Sequence, residues 1–147
     1  PAVVRGEYDL GLIIHEGQIT WANEGLQLIL DLGEWWYELT GLPLPLGGNV
    51  VRRSLGEETC LRVAEDIKHS IHHSLSNPES ALEFAKQWGR GIDDDTNREF
   101  VSMYVNQRTL DYGEDGREAV RRFLREGQRI GVIDTSFDVD GIEFVGR

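Results

Sequence analysis

His15 is the side chain in this sequence that is best suited to acid–base chemistry. It directly follows a short apolar run at residues 9–14, which predicts a strand buried on both faces. Open α/β sheets bind ligands outside the carboxyl ends of their strands, and histidine titrates near neutrality, which suits a general base. We therefore expect His15 to act as a catalytic base, with Glu16 as a neighbour able to orient it. The alternative is a loop histidine that hydrogen-bonds only to backbone groups.

Two other groups of polar side chains have the composition of metal ligands. His69, His72 and His73 share one side of a predicted helix, because residues three and four positions apart are neighbours on a helix surface. The apolar stripe of that helix lies elsewhere, so an exposed helix face is favoured over a metal site, which usually also needs a ligand from another element. The acidic residues 93–95 are explained by capping of the helix that follows them. Neither group predicts a metal ion, and no cofactor-binding motif is present.

An apolar segment interrupted by prolines, residues 42–53, is the second feature that predicts a ligand site. Leu42, Leu44 and Leu46 alternate with Pro43 and Pro45, so the segment is extended and keeps one apolar face. Two glycines follow at positions 47 and 48, where the backbone can approach a ligand closely. The pattern predicts a strand that crosses between two lobes beside a cleft, or alternatively an edge strand that ends in a turn.

Hydrophobic periodicity predicts an α/β portion followed by a helical portion. Further extended pieces are predicted at 19–21, 26–32 and 142–145, and helices at 31–41, 57–76 and 114–129, with two more that begin at Pro78 and after Asp93. The helix at 31–41 carries Trp35 and Trp36, which are large enough to wall a flat ligand. Packing in a core is the favoured role for at least one of this pair.

Composition indicates a single globular domain with 147 residues and a net charge of −11. An acidic chain repels phosphate backbones, so a nucleic-acid partner is not expected. The lone Cys60 gives no disulfide framework, and no apolar stretch approaches the roughly 20 residues needed to span a bilayer. Without a visible export leader, we expect a cytoplasmic protein with no membrane partner. Composition gives no oligomeric state.

Three segments of the chain occur in an order and spacing found in one enzyme family. They read GLIIHE at residues 11–16, DLGEWW at 31–36 and TGLPLPLG at 40–47. With them the chain resembles the 1,4-dihydroxy-6-naphthoate synthases of the futalosine route to menaquinone. The weaker segments YVN at 104–106 and LDYG at 110–113 extend the resemblance over essentially the whole chain.

The resemblance implies a fold that the chain only partly contains. Family members are two-lobed α/β proteins of the periplasmic-binding-protein-like type II fold, and this chain resembles their second half. Residues 1–41 would end the second lobe and carry the catalytic histidine, 42–53 would form the interlobe crossing strand, and 54–147 would be helices packed on the first lobe. The start of the chain reads as the end of a helix, so we expect the N-terminal half of the enzyme to be missing and this portion alone to be inactive.

The resemblance also implies an activity. The family converts cyclic dehypoxanthinyl futalosine, a small-molecule substrate, to 1,4-dihydroxy-6-naphthoate by carbon–carbon bond cleavage, without a metal or organic cofactor. His15 matches the proposed general base of the family. From residue type alone we also expect Leu46, Gly47 and Trp36 to contact the flat substrate.

Two other functions fit parts of the same pattern. The sister family of chorismate dehydratases shares similar segments, but the LPLG continuation at residues 44–47 and the histidine of IIHE favour the naphthoate synthase. A solute-binding protein of the same fold would do no chemistry, and it would predict a basic group in place of His15 together with an export signal.

Overall fold

All regular secondary structure in the described chain is helical. The computed structural model describes residues 2–15, 17–87 and 93–146. In chain order the elements are α1 (Gly17–Thr20), a 3₁₀ helix (Trp21–Glu24), α2 (Leu32–Thr40), a 3₁₀ helix (Arg53–Leu55), α3 (Glu57–Ser76), α4 (Pro78–Lys86), α5 (Asp94–Tyr104), α6 (Gln107–Leu110) and α7 (Gly113–Arg129). Among these described helices, none is both long enough and apolar enough to cross a membrane.

The helices predicted from caps and periodicity are confirmed. They could be predicted because the signals that end or begin a helix depend only on neighbouring residues. α2 ends where Gly41 adopts a left-handed φ of +70°, and the Gly41 amide donates to the Tyr37 carbonyl at 2.7 Å. α4 begins with Pro78 in its first turn, where a missing amide costs nothing. α5 begins after Asp93, whose side chain accepts hydrogen bonds from the amides of Asp95 and Thr96.

The predicted strands are not formed within the described residues, and these predictions are wrong for this chain. Residues 9–14, 26–31, 42–52 and 142–145 lack regular structure, and the piece predicted at 19–21 is helical. A strand requires hydrogen bonds to a neighbouring strand, which an apolar run does not itself supply. The two segments expected to be buried are instead exposed, with Leu12 76% and Ile29 72% accessible. The expected α/β sheet is therefore not observed in the described residues.

Contacts between residues divide the chain into two compact units. One unit combines Pro1–Asp31 with Ser74–Asn106, and its buried side chains include Leu82 and Asn97. The other combines Leu32–His73 with Gln107–Arg147. Its buried side chains include Trp36, Cys60, Ala119 and Val139. The division expected at residues 41 and 53 concerns the lobes of a larger protein, and it stays a prediction.

Candidate functional site

His15 occupies an unusual backbone conformation at the start of α1. Its φ is +56°, which makes it the one non-glycine residue with positive φ in the described chain. Non-glycine residues rarely adopt this left-handed region, although asparagine, aspartate and histidine do so more often than the others, and such outliers concentrate at functional sites. The His15 carbonyl accepts a hydrogen bond from the Gln18 amide at 3.1 Å, and the side chain is exposed. Glu16, expected to orient the imidazole, lies outside the described residues.

Two contacts hold the turn that carries His15. A Cβ atom on Gly17 would lie only 2.8 Å from Cγ2 of Ile13, so any larger residue here would force the turn or the Ile13 side chain to shift. On the other side, Nε2 of Gln18 donates to Oη of Tyr104 at 2.9 Å. The Tyr104 ring packs against Phe100, with ring centroids 5.0 Å apart. The His15 turn is therefore tied to the last turns of α5.

The proline segment, residues 42–52, is anchored at both ends and exposed in its centre. At its start, Oγ1 of Thr40 donates to the Trp36 carbonyl at 2.7 Å and accepts from the Leu42 amide at 3.1 Å. At its end, Sγ of Cys60 donates to the Arg52 carbonyl at 3.5 Å. The segment thus joins α2 to α3.

Leu46 and Gly47, the expected substrate contacts, lie in the exposed centre of the proline segment. The Leu46 side chain is 67% accessible, and both residues are exposed. Oη of Tyr112 donates to the Gly47 carbonyl at 3.4 Å, across 65 positions in the sequence. The sequence predicts no role for Tyr112 beyond its place in the LDYG segment, because no local pattern links it to Gly47.

Trp36 is buried within its unit, which confirms core packing for at least one of the two tryptophans. It is 3% accessible, and its ring meets Phe123 edge-on with centroids 5.5 Å apart. Its Nε1 is buried and has no hydrogen-bond partner among the described residues. Trp35 is 46% accessible. Contact between Trp36 and a substrate stays a prediction.

The remaining polar groups behave as helix surface and cap. His69, His72 and His73 are exposed on α3, and the described residues contain no cluster of side chains that could hold a metal ion. Hydrogen bonds from the backbone and the hydroxyl of Thr96 hold the pKa of the Asp93 carboxyl below its ordinary value. This is the electrostatic signature of an N-cap carboxylate.

The structure distributes the expected site residues over both units. His15 belongs to the unit that contains α4 and α5, and Trp36, Leu46 and Gly47 belong to the unit that contains α2 and α7. Within the second unit, Tyr112 joins this set through its hydrogen bond to Gly47.

Comparison with known proteins identifies the family. The sequence profile described as "Menaquinone biosynthesis" matches residues 1–129. The chain belongs to this menaquinone-biosynthesis family. The resemblance to a menaquinone-biosynthesis family, drawn from the IIHE and TGLPLPLG segments, is thereby confirmed.

Two curated relatives in the menaquinone-biosynthesis family carry the name 1,4-dihydroxy-6-naphtoate synthase. The protein from Thermus thermophilus is 41% identical over 90% of this chain and 48% of its own length. The protein from Streptomyces coelicolor is 37% identical over 90% of this chain and 47% of its own length. The chain therefore spans about half the length of the curated relatives it matches.

A solved structure is similar to this chain in fold. The crystal structure of a protein from Archaeoglobus fulgidus matches 90% of this chain and 50% of its own chain, with a TM-score of 0.84 and 40% sequence identity. At this similarity, this chain has the fold of the matched half of that protein.

Proposed function

We propose that this chain forms one half of a 1,4-dihydroxy-6-naphthoate synthase, a carbon–carbon lyase of menaquinone biosynthesis. The observation that carries the proposal is identity of 41% and 37%, over 90% of the chain, to two relatives with that name. The proposed substrate is cyclic dehypoxanthinyl futalosine, a small molecule, and the product is 1,4-dihydroxy-6-naphthoate. The proposed enzyme is cytoplasmic and uses no metal or organic cofactor.

His15 acts as the general base of the proposed reaction. Removal of a proton by the imidazole starts an elimination or a retro-aldol-like collapse, and formation of the aromatic product supplies the driving force. The exposed side chain is accessible to a substrate, and its left-handed turn is held by Gly17 and Gln18. A fixed turn suits a base, because proton transfer depends on geometry before it depends on pKa.

Leu46 and Gly47 contact the substrate in the proposed enzyme. Both are exposed at the centre of a segment whose two ends are fixed by Thr40 and Cys60. An apolar side chain beside accessible backbone suits a flat bicyclic ligand, which needs a wall and a few polar contacts. Trp36 is retained as a further wall residue of the same unit.

The proposal also assigns this chain to the second half of a two-lobed, periplasmic-binding-protein-like fold of type II. Exposed apolar side chains at residues 10–14 and 28–30 support it, since such runs are typical of strands that pair within a larger sheet. The length of the relatives supports it as well, because this chain covers 48% and 47% of them. We refer below to this chain together with an N-terminal half as the complete enzyme.

The experiment that tests the proposed function is a product assay on the complete enzyme with two substrates offered separately. Cyclic dehypoxanthinyl futalosine should be consumed and 1,4-dihydroxy-6-naphthoate should appear in equal amount, detected by chromatography and mass. Chorismate, the substrate of the sister family, should remain unchanged. Dehydration of chorismate, or tight binding of either compound without turnover, would contradict the proposal.

A further inference from the structure

We propose that Tyr112 is a positioning residue that sets the place of the Gly47–Gly48 backbone, and through it the substrate wall formed by Leu46 and Gly47. The inference rests on the proposed function, because it assigns a role within that same site. Tyr112 reaches the proline segment from the start of α7, where Oη donates to the Gly47 carbonyl at 3.4 Å. The same oxygen would lie 3.1 Å from a Cβ atom on Gly48, so the backbone rests directly against the phenol.

The backbone of Tyr112 is held by a dense set of local contacts. Its carbonyl accepts from Nη1 of Arg108 at 3.0 Å and from the Gly116 amide at 3.2 Å. The same Arg108 pairs with Asp115 at 2.6 Å, and this hydrogen bond lowers the pKa of the Asp115 carboxyl. A Cβ atom on Gly116 would lie 2.9 Å from Cβ of Tyr112, so only glycine allows this approach within α7.

The neighbours of Tyr112 in the LDYG segment complete the turn. Oδ1 of Asp111 accepts from the Gly113 amide and from Nη2 of Arg117, each at 2.9 Å. The bond from Gly113 lowers the pKa of the Asp111 carboxyl, and Gly113 has a left-handed φ of +67°. Asp111 and Gly113 therefore fix the backbone on both sides of Tyr112.

The phenol ring is also buttressed on its side by the C-terminal tail. The Phe144 ring meets Tyr112 edge-on at 6.1 Å, and the guanidinium of Arg121 lies 5.2 Å from the centre of the Phe144 ring. Edge-on aromatic pairs and cation–π contacts both favour a defined ring orientation. A long side chain with this support limits how far the glycine backbone can move, whereas two adjacent glycines alone would leave it mobile.

The test is a double-mutant cycle in the complete enzyme with Tyr112→Phe, Gly48→Ala and both together. Tyr112→Phe keeps the ring and removes only Oη, so KM should rise about two- to fourfold, the lower end of the range for one neutral hydrogen bond because the contact is 3.4 Å long, with kcat changed less than about 1.5-fold. Gly48→Ala alone should also raise KM, because its methyl meets Oη. The double variant should be no worse than Tyr112→Phe, since the added methyl then has no oxygen to meet. Tyr37→Phe, an exposed tyrosine of α2, is the matched control and should leave KM unchanged.

Amide hydrogen exchange of peptides that cover residues 44–51 provides a second readout that does not depend on catalysis. Tyr112→Phe should accelerate exchange there by about threefold or more, while peptides of α3 remain as in the wild type. Unchanged exchange, or an unchanged KM in an active enzyme, would overturn the positioning role. Additive effects in the double variant would overturn it as well. A wild-type enzyme without lyase activity would contradict the proposed function but not the role of Tyr112. The exchange measurement would still test that role.

Discussion

The most informative single residue is His15, because its side-chain chemistry and its backbone conformation both indicate a functional site. The sequence predicts a catalytic base at His15 because this residue follows an apolar run. That run does not form a strand among the described residues. The structure supplies a different reason to single out this residue, namely a left-handed φ of +56° at a histidine. No local pattern predicts that conformation, although the glycine two positions later was a visible signal that the chain turns there.

Gly17 is expected to be needed to keep the turn that places His15. Gly17→Ala would place a methyl group 2.8 Å from Cγ2 of Ile13, so either the Ile13 side chain or the backbone of the turn must shift. A displaced base loses its alignment, and we expect kcat of the complete enzyme to fall about tenfold or more. Steady-state kinetics measure this effect.

The matched control for Gly17→Ala is its combination with Ile13→Ala, which removes the atom that the new methyl would meet. The double variant should recover most of the lost turnover. If Gly17→Ala alone has wild-type kcat, the turn is not required to place His15.

At the scale of elements, the helices were predictable because their signals are local. Gly41 ends α2, Pro78 begins α4 and Asp93 caps α5, each through its own backbone geometry or side-chain oxygen. Strands were not predictable in the same way, because an apolar run indicates burial but does not indicate which other strand it would pair with. The Tyr112–Gly47 contact spans 65 positions, and a contact of that range leaves no periodic trace in one sequence.

The Asp93 cap makes a prediction about pH. Its carboxyl has a lowered pKa in the folded protein, chiefly through the hydrogen bond from the Thr96 amide. A group with a lowered folded-state pKa stabilises the fold above its unfolded value, about 3.9 for aspartate, and loses that contribution as the pH falls through the folded-state value. Asp93→Asn keeps a capping oxygen but no charge. Its Tm should therefore lie below that of the wild type at pH 7, and the gap should shrink towards pH 3.

Thermal unfolding of the complete enzyme, followed by circular dichroism at several pH values, checks this prediction. Asp93→Ala, which removes the cap as well as the charge, should have the lowest Tm of the three proteins at pH 7. A gap between wild type and Asp93→Asn that stays constant from pH 7 to pH 3 would show that the charge does not stabilise α5.

At the scale of the whole molecule, apolar side chains that the sequence predicted to be buried are exposed. They lie in the two runs at residues 10–14 and 28–30, where Leu10 is 70% and Ile29 72% accessible. Contiguous exposed apolar surface of this kind marks an interaction site or promotes aggregation. Their exposure is explained if the N-terminal half of the proposed complete enzyme covers both runs.

The 147-residue chain by itself should behave as an incomplete fold. It should bind a hydrophobic dye strongly, aggregate at micromolar concentration and unfold without a cooperative transition. Ile29→Lys should reduce both dye binding and aggregation, because a charge in an exposed apolar run opposes association. A cooperative melt of the isolated wild-type chain, with little dye binding, would contradict the proposal.

The most direct test of the account is the turnover of the complete enzyme when His15 is replaced by asparagine. Asparagine tolerates the left-handed conformation better than most residues, so His15→Asn removes the base while preserving the turn. We expect kcat to fall by about 10² or more, with KM for cyclic dehypoxanthinyl futalosine changed only a few-fold. His72→Gln, an exposed histidine of α3, is the matched control and should retain wild-type turnover. Turnover by His15→Asn close to that of the wild type would contradict the assignment of His15 as the base.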